Sequence, residues 1–495
     1  MVRLSVGLAF LALNIFCISV TVNAQAKEKD EFTCPQQTGN GNFADPASCR
    51  RFYQCVDGFP YMNRCPSGLY FDDINKFCNF KDEATCGPLP TNIAVAPKTD
   101  APVDLAQRCD PAQCELPYCF CSKDGTLIPG DLELDKIPQM ILLTFDGAVN
   151  LNNYEHYKKI FDKKRKNPNG CEIKGTFFIS HEYSNYQQIQ TLAYEGHEIA
   201  TETISLQNGL QDKGYEEWVG EMIGMREILR FFANVSVSEV VGMRAPFLKP
   251  GRNTQYKVIE DFGYIYDSSV TVPPVNVPVW PYTLDFKISH ECKSGTCPTR
   301  QFPGVWEVPL NTHYVEGYEG GHCPYLDQCV LHSLDENEVV EWLQEDFSRY
   351  YEQNKAPYMM PFHTNWFQTK QLELGLHKFL DWALTLPDVY IVTVTQALTW
   401  ITDPKELSRL STIESWDCQK RVPSAPKPCN LSNYCGLSFK NPEKNISDTR
   451  YMETCRECPN TYPWLGDAEG TGIVGRDNYV YTGTSQGDAQ PENRK

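Results

Sequence analysis

Short apolar runs punctuate the chain from about residue 140 onward. Residues 140–145, 175–179, 240–243, 306–310, 358–362 and 389–394 are rich in β-branched, aliphatic and aromatic side chains and are bounded by polar turns. Runs of that length and content predict buried strands. Between them, 154–164, 216–232, 336–351 and 371–386 repeat apolar residues at helical spacing. Strands alternating with helices predict an α/β domain with a parallel sheet, and the length allows a barrel. No internal repeat interrupts that reading.

The flanks read differently. Residues 1–24 begin with Arg3, run apolar from 4 to 22 and end in Val22-Asn23-Ala24. That pattern predicts a cleaved signal peptide, not an anchor, because Asn14 breaks the run and no stop-transfer pattern follows. A cysteine-rich segment occupies 31–87. Residues 88–107, with Pro88, Pro90, Pro97 and Pro102, have linker composition. The globular pattern fills 108–405, a cysteine-containing extension follows at 406–465, and 466–495 is rich in Gly, Asp, Asn and Gln, the composition of a poorly ordered tail.

Charge and cysteine content narrow the setting. The 495 residues carry 63 acidic against 45 basic side chains, a net charge of −18. That excludes nucleic acid as a partner, since phosphates need a basic surface, and it suits an uncharged polysaccharide. Of 21 cysteines, setting aside Cys17 in the leader leaves an even number, which in a secreted chain reads as disulfides. Asn234, Asn430 and Asn445 head N-x-S triplets and are glycosylation candidates. Cys292 with Cys297 and Cys323 with Cys329 read as local loop staples; Cys171 needs a distant partner that the sequence does not identify.

The first cysteine cluster reads C-x14-C-x5-C-x9-C-x12-C-x7-C from Cys34 to Cys86, with Arg51-Phe52-Tyr53-Gln54-Cys55 and Cys65-Pro66-Ser67-Gly68-Leu69-Tyr70-Phe71 between. It resembles a peritrophin-A type chitin-binding domain. The resemblance implies chitin as the ligand and the pairs Cys34–Cys55, Cys49–Cys86 and Cys65–Cys78; spacing alone leaves the pairing open. A pyranose ring packs its C–H groups on aromatic faces, so Tyr53, Phe59, Tyr61, Phe71 and Phe80 are the candidate contacts.

Motifs in the large domain are similar to those of the polysaccharide deacetylase family, in particular insect chitin deacetylases. They are Leu143-Thr144-Phe145-Asp146-Gly147, Arg244-Ala245-Pro246-Phe247, Tyr266-Asp267-Ser268-Ser269, Trp306-Glu307-Val308-Pro309-Leu310-Asn311 and Pro361-Phe362-His363-Thr364-Asn365-Trp366-Phe367. The implied fold is a distorted (β/α) barrel preceded by a small disulfide-rich β domain. The implied chemistry is metal-assisted amide hydrolysis by a zinc-like ion held by one Asp and two His in H-x3-H, with an Asp base and a His acid. On that pattern Asp146 matches the base, Arg244 its orienting partner, Asp267 an acid near the acid catalyst and His363 the general acid. Trp280 and Trp366 are candidates to line a sugar groove.

The metal positions depart from the family. Gly147 stands where an Asp is expected, and Glu202 and Leu206 stand at the two His positions. No two of the nine histidines lie three to five apart, so no local two-His motif exists and no cofactor is expected. Losing a Lewis acid worth on the order of 5 kcal/mol costs nearly four decades of rate. The expectation is a secreted, extracellular chitin-binding protein of a cuticle or gut lining, with little or no deacetylase activity and without a membrane anchor. The alternatives are an active deacetylase with an altered site, and an interaction module for other chitin-matrix proteins.

Overall fold

The computed structural model describes residues 34, 41–45, 48–56, 59–65, 69–80, 84–85, 105–315, 322–331, 335–441 and 446–473. The leader read at 1–24, the implied Cys49–Cys86 bond and Asn445 lie outside the described residues or side chains. The chain divides into two units, Met1–Ala94 and Val95–Lys495.

In the first unit, β1 (Gly41–Asp45), β2 (Ser48–Val56) and β3 (Phe59–Arg64) form an antiparallel sheet, and β4 (Leu69–Asp72) pairs with β5 (Phe77–Phe80). The turn between β4 and β5 is fixed by Asp72, whose carboxylate accepts from the Ile74 N–H at 2.9 Å and from Asn75 Nδ2 at 2.6 Å. Such a unit is too small to bury a sizeable core, so crosslinks stand in for one. Cys34–Cys55 and Cys65–Cys78 are both bonded, as the resemblance implied. Phe71 is buried and its ring stacks on Phe52 at 4.8 Å. It therefore fills the miniature core and is not a sugar-facing residue, a correction to the sequence reading.

The second unit is organised by one sheet. The strands of the unit are β6 (Gln139–Gly147), β7 (Thr176–Ile179), β8 (Glu198–Thr201), β9 (Gly242–Met243), β10 (Tyr266–Asp267), β11 (Thr271–Val272), β12 (Tyr282–Leu284), β13 (Phe302–Glu307), β14 (Leu310–Asn311), β15 (His313–Tyr314), β16 (His322–Cys323), β17 (Tyr358–Phe362), β18 (Val389–Ile391), β19 (Asn433–Asn441) and β20 (Ile446–Thr454), of which β11 with β14, β15 with β16 and β19 with β20 form separate pairs. The order β12-β13-β10-β9-β8-β7-β6-β17, with β18 also on β6, is parallel throughout except for β12 on β13. Among the described residues no ladder joins β12 to β17. The implied barrel is thus a curled half-barrel. β6 is its spine, with seven consecutive apolar or uncharged residues, 139–145, nearly all solvent-free. In register across it, Phe145 stacks on Phe177 at 4.8 Å and on Phe362 at 5.7 Å.

Helices α1 (Leu151–Ile160), α2 (Tyr186–Glu195), α3 (Tyr215–Phe232), α4 (Arg252–Asp261), α5 (Glu336–Tyr351), α6 (Lys370–Ala383) and α7 (Val394–Thr402) connect the strands. Side-chain caps set several starts: Asn150 for α1, Asn185 for α2, Asp335 for α5 and Thr393 for α7. No helix among the described residues is long and apolar enough to cross a membrane.

Crosslinks frame this unit. Cys109–Cys121 and Cys114–Cys119 tie its start, Cys292–Cys297 and Cys323–Cys329 staple loops, and Cys429–Cys455 and Cys435–Cys458 hold the β19–β20 hairpin. Cys171 finds its partner in Cys418, 247 residues on. Residues 466–471, expected in a loose tail, are packed instead: Ala468 is solvent-free and Asp467 accepts from the N–H groups of Thr471 and Gly472, both at 2.8 Å. Asn234 already donates its amide to Gln190 at 3.1 Å, while Asn430 is exposed.

Candidate functional site

Five residues read from the sequence fall within one residue of the C-terminal end of a parallel strand: Asp146 in β6, Glu202 after β8, Arg244 after β9, Asp267 ending β10 and His363 after β17. That is where a parallel α/β sheet gathers its chemistry. Arg244 Nη1 donates to Asp146 Oδ1 at 2.6 Å, and both side chains are fully buried. The guanidinium is saturated elsewhere too. It donates to the Ser268 carbonyl at 2.9 Å, Ser268 Oγ at 3.0 Å and Thr144 Oγ1 at 3.1 Å, and it lies 4.0 Å over the Phe178 ring. Burial alone would lower its pKa, but the negative charge of Asp146 outweighs that and holds it above its ordinary value.

The second oxygen of Asp146 is taken as well. Tyr325 donates its hydroxyl to Oδ2 at 2.5 Å. Burial, then the Asp146 charge, pushes the Tyr325 phenol far up, so it stays a donor. Two residues on, Asp327 grips His363: its carboxylate accepts from the His363 backbone N–H at 3.0 Å and lies 3.1 Å from Nδ1. Burial alone would lower the His363 pKa; the Asp327 bond and the charges of Asp146 and Asp327 raise it on balance. The Tyr325 ring packs 4.0 Å from the His363 ring. Tyr325 and Asp327 lie inside the loop closed by Cys323–Cys329. The sequence reading took that bond for scaffolding alone. The signal that would have found them is a short staple holding one hydroxyl and one carboxylate, C-P-Y-L-D-Q-C.

Asp267 is elsewhere. It accepts from Gln255 at 2.6 Å, Ser269 Oγ at 2.7 Å and Tyr256 at 3.0 Å, and faces Glu307 on the neighbouring strand. Burial raises both acids, and Glu307 shares its proton with Asp267. This is a buried acid pair locking β10 to β13, so Asp267 does not attend the His363 side as the resemblance implied; His363 has Asp327 instead. Trp280 and Trp366 are also corrections. Both are solvent-free, Trp280 stacked on Trp400 at 5.9 Å and Trp366 packed edgewise on Phe362 at 5.4 Å. Neither offers a face to a sugar. In the first unit Tyr53 is half-buried, and the side chains of Phe59, Tyr61 and Phe80 lie outside the described residues.

A family model for the chitin-binding Peritrophin-A domain matches residues 29–86. Chitin deacetylase 1 of Bombyx mori is 35% identical over 486 residues, covering 86% of this chain and 88% of that one. The chain belongs to the chitin deacetylase family. Chitin deacetylase 8 of Bombyx mori is 32% identical, over 76% of this chain and 97% of that protein. A solved chitin deacetylase from the fungus Colletotrichum lindemuthianum overlaps with a TM-score of 0.29 and 14% identity, covering 56% of this chain and 92% of that one.

Three residues stand where the family resemblance places metal ligands, Gly147, Glu202 and Leu206. Gly147 has φ +107° and nothing within 4 Å of where a Cβ would sit. Room for a side chain is present, but the backbone strains any L residue there. The chain then turns on Thr203, which accepts from the Leu206 N–H at 3.2 Å, leaving Leu206 at φ +47°. Glu202 is buried, with Oε2 unpartnered. Burial, then repulsion from Asp146, pushes its pKa well above the usual carboxylate value. A zinc-like ion needs three anionic or imidazole donors. Here one position has no side chain, one is hydrocarbon and only Glu202 offers a donor, and no group of three His, Cys, Asp or Glu that would hold an ion occurs among the described residues. The donor set does not fit the ion.

Proposed function

We propose that this chain is a secreted chitin-matrix protein that binds chitin through its first unit and whose deacetylase-like unit has little or no hydrolytic activity. The observation that carries the reading is the state of Asp146. A general base must reach a water, yet this side chain is solvent-free, with one oxygen on Arg244 and the other on Tyr325. The unfit metal positions support the same conclusion from the other side of the site. The peritrophin-A match supports chitin as the partner and an extracellular matrix as the setting, where the disulfides would persist.

The test is acetate release from N-acetylglucosamine oligomers by the purified chain, with and without zinc or cobalt, beside chitin deacetylase 1 of Bombyx mori. No release above background, with retained binding to chitin beads, is the expected outcome. Metal-dependent release near the relative's rate would overturn it.

A further inference from the structure

The β19–β20 hairpin turns outward a face that carries no charge in its middle. In the antiparallel register Cys435, Leu437, Phe439 and Met452 share the inward face and are buried, and Thr454 Oγ1 donates to the Phe232 carbonyl at 2.7 Å. Strand alternation then puts Tyr434, Gly436, Ser438, Thr449 and Tyr451 on the other face, and all five are exposed.

Tyr434 and Tyr451 are 66% and 55% exposed, and their rings stack with centroids 5.5 Å apart and planes 20° from parallel. They are diagonal neighbours on the ladder, because Gly436 is the residue opposite Tyr451. The Tyr451 ring lies over Gly436, where a Cβ would meet it at 3.1 Å. The missing side chain lets the ring settle against the strand. Cys429–Cys455 and Cys435–Cys458 clamp the hairpin, so the rings stand on a rigid support and lose little freedom on binding.

Area and charge narrow the occupant. Two tyrosines offer at most about 500 Å², short of the roughly 800 Å² that each partner buries in a stable protein interface. A narrow ligand fits the pair better than a second protein does. The charged residues of that face, Lys440 and Glu453, sit toward the two ends of the ladder, and Glu453 is engaged by Ser432 Oγ at 3.0 Å. The middle is neutral in a chain whose net charge is −18. An uncharged sugar matches it: pyranose C–H groups pack on the ring faces, and sugar hydroxyls meet those of the tyrosines, Ser438 and Thr449.

We propose that Tyr434 and Tyr451 form a second sugar-stacking surface, whose ligand is a chain of β-1,4-linked N-acetylglucosamine. The identity of the polymer rests on the reading that the first unit binds chitin. Two modest contacts on one polymer reinforce each other, because binding at either raises the effective concentration at the other.

The experiment titrates the full chain by calorimetry with short soluble oligomers of N-acetylglucosamine and counts the sites. Two sites are expected in the unaltered chain. Tyr434→Ser with Tyr451→Ser should weaken one of them at least about tenfold, while Tyr434→Phe with Tyr451→Phe keeps both, because the ring faces carry the contact. One site, unchanged in the serine variant, overturns the second surface and leaves the first unit's reading intact. One site that the serine variant abolishes supports the hairpin and overturns the first unit's reading. No site in any chain overturns both. Self-association lost in the serine variant, with oligomer binding unchanged, would make a second copy the occupant and overturn the proposal. Hairpin binding that appears only in Asn430→Gln would make the chain's own glycan the occupant and also overturn it.

Discussion

The two ends of the half-barrel are opposites. At the upper end, where the family places its chemistry, Arg244 has every useful donor engaged and Asp146 has both oxygens capped. At the lower end, Arg421 is part-exposed and has no hydrogen-bond partner among the described residues. A buried charge that is fully paired is finished architecture. A part-exposed charge without a protein partner is satisfied by water. The comparison teaches that a charged motif does not by itself mark a working site; what matters is whether its atoms are still available.

Several measurements break or sharpen that contrast. The largest effect belongs to the bond that builds the lower end. Replacing Cys171 and Cys418 by Ser removes a 247-residue loop constraint and should cost on the order of 5 kcal/mol by chain entropy. Denaturant unfolding under non-reducing conditions reads it, and a loss under about 1 kcal/mol would show that the extension is held by packing instead. Next, Arg244→Met strands Asp146 in the core and should cost about 3–5 kcal/mol, whereas Arg421→Met, which strands nothing, should change stability by less than about 1 kcal/mol. Equal costs would erase the distinction between the two ends.

A smaller effect comes from the acid pair. Asp267 and Glu307 are both raised above their ordinary carboxylate values by burial, Glu307 the more, and share a proton. Their folded-state pKa values are raised, so the stability they allow is fully present below the unfolded value near 4 and is lost as pH rises through the folded values. Glu307→Gln should flatten the melting-temperature profile above about pH 5, removing up to about 1.4 kcal/mol per pH unit per proton. An unchanged profile would mean that the pair is not titrating. The smallest effect is at the chitin face. Tyr53→Ala should weaken binding to chitin beads by about 1 kcal/mol, roughly fivefold, while Phe71→Ala should first unfold the small unit because the ring is core.

The sequence made the frame legible where local rules decide. α5 and β17 begin and end where the apolar periodicity placed them, and the motif residues sit at strand ends as parallel topology requires. α7 was lost because 389–394 reads as one apolar run, although Thr393 inside it caps a helix through the Gln396 N–H. At the site, Asp146, Arg244 and His363 were readable from motif order. Tyr325 and Asp327 were not, because their contacts span 179 and 36 residues and leave no periodic trace. The tryptophans were misplaced for the same reason: an aromatic side chain in a loop carries no sign of whether it faces solvent or core.

The bond between Cys171 and Cys418 also sets a timetable for making the protein. At about 5–20 residues per second of synthesis, Cys171 waits roughly 10–50 seconds on the ribosome-bound chain before its partner exists. Four other thiols, at 292, 297, 323 and 329, emerge in that interval. Each closes with a neighbour five or six positions away, and so short a loop forms far sooner than a long one. Early local pairing takes those competitors out of circulation and keeps Cys171 available for the last segment to arrive. Synthesis that stops before residue 418 leaves a reactive thiol on display, a ready handle by which a quality-control system could recognise an unfinished chain.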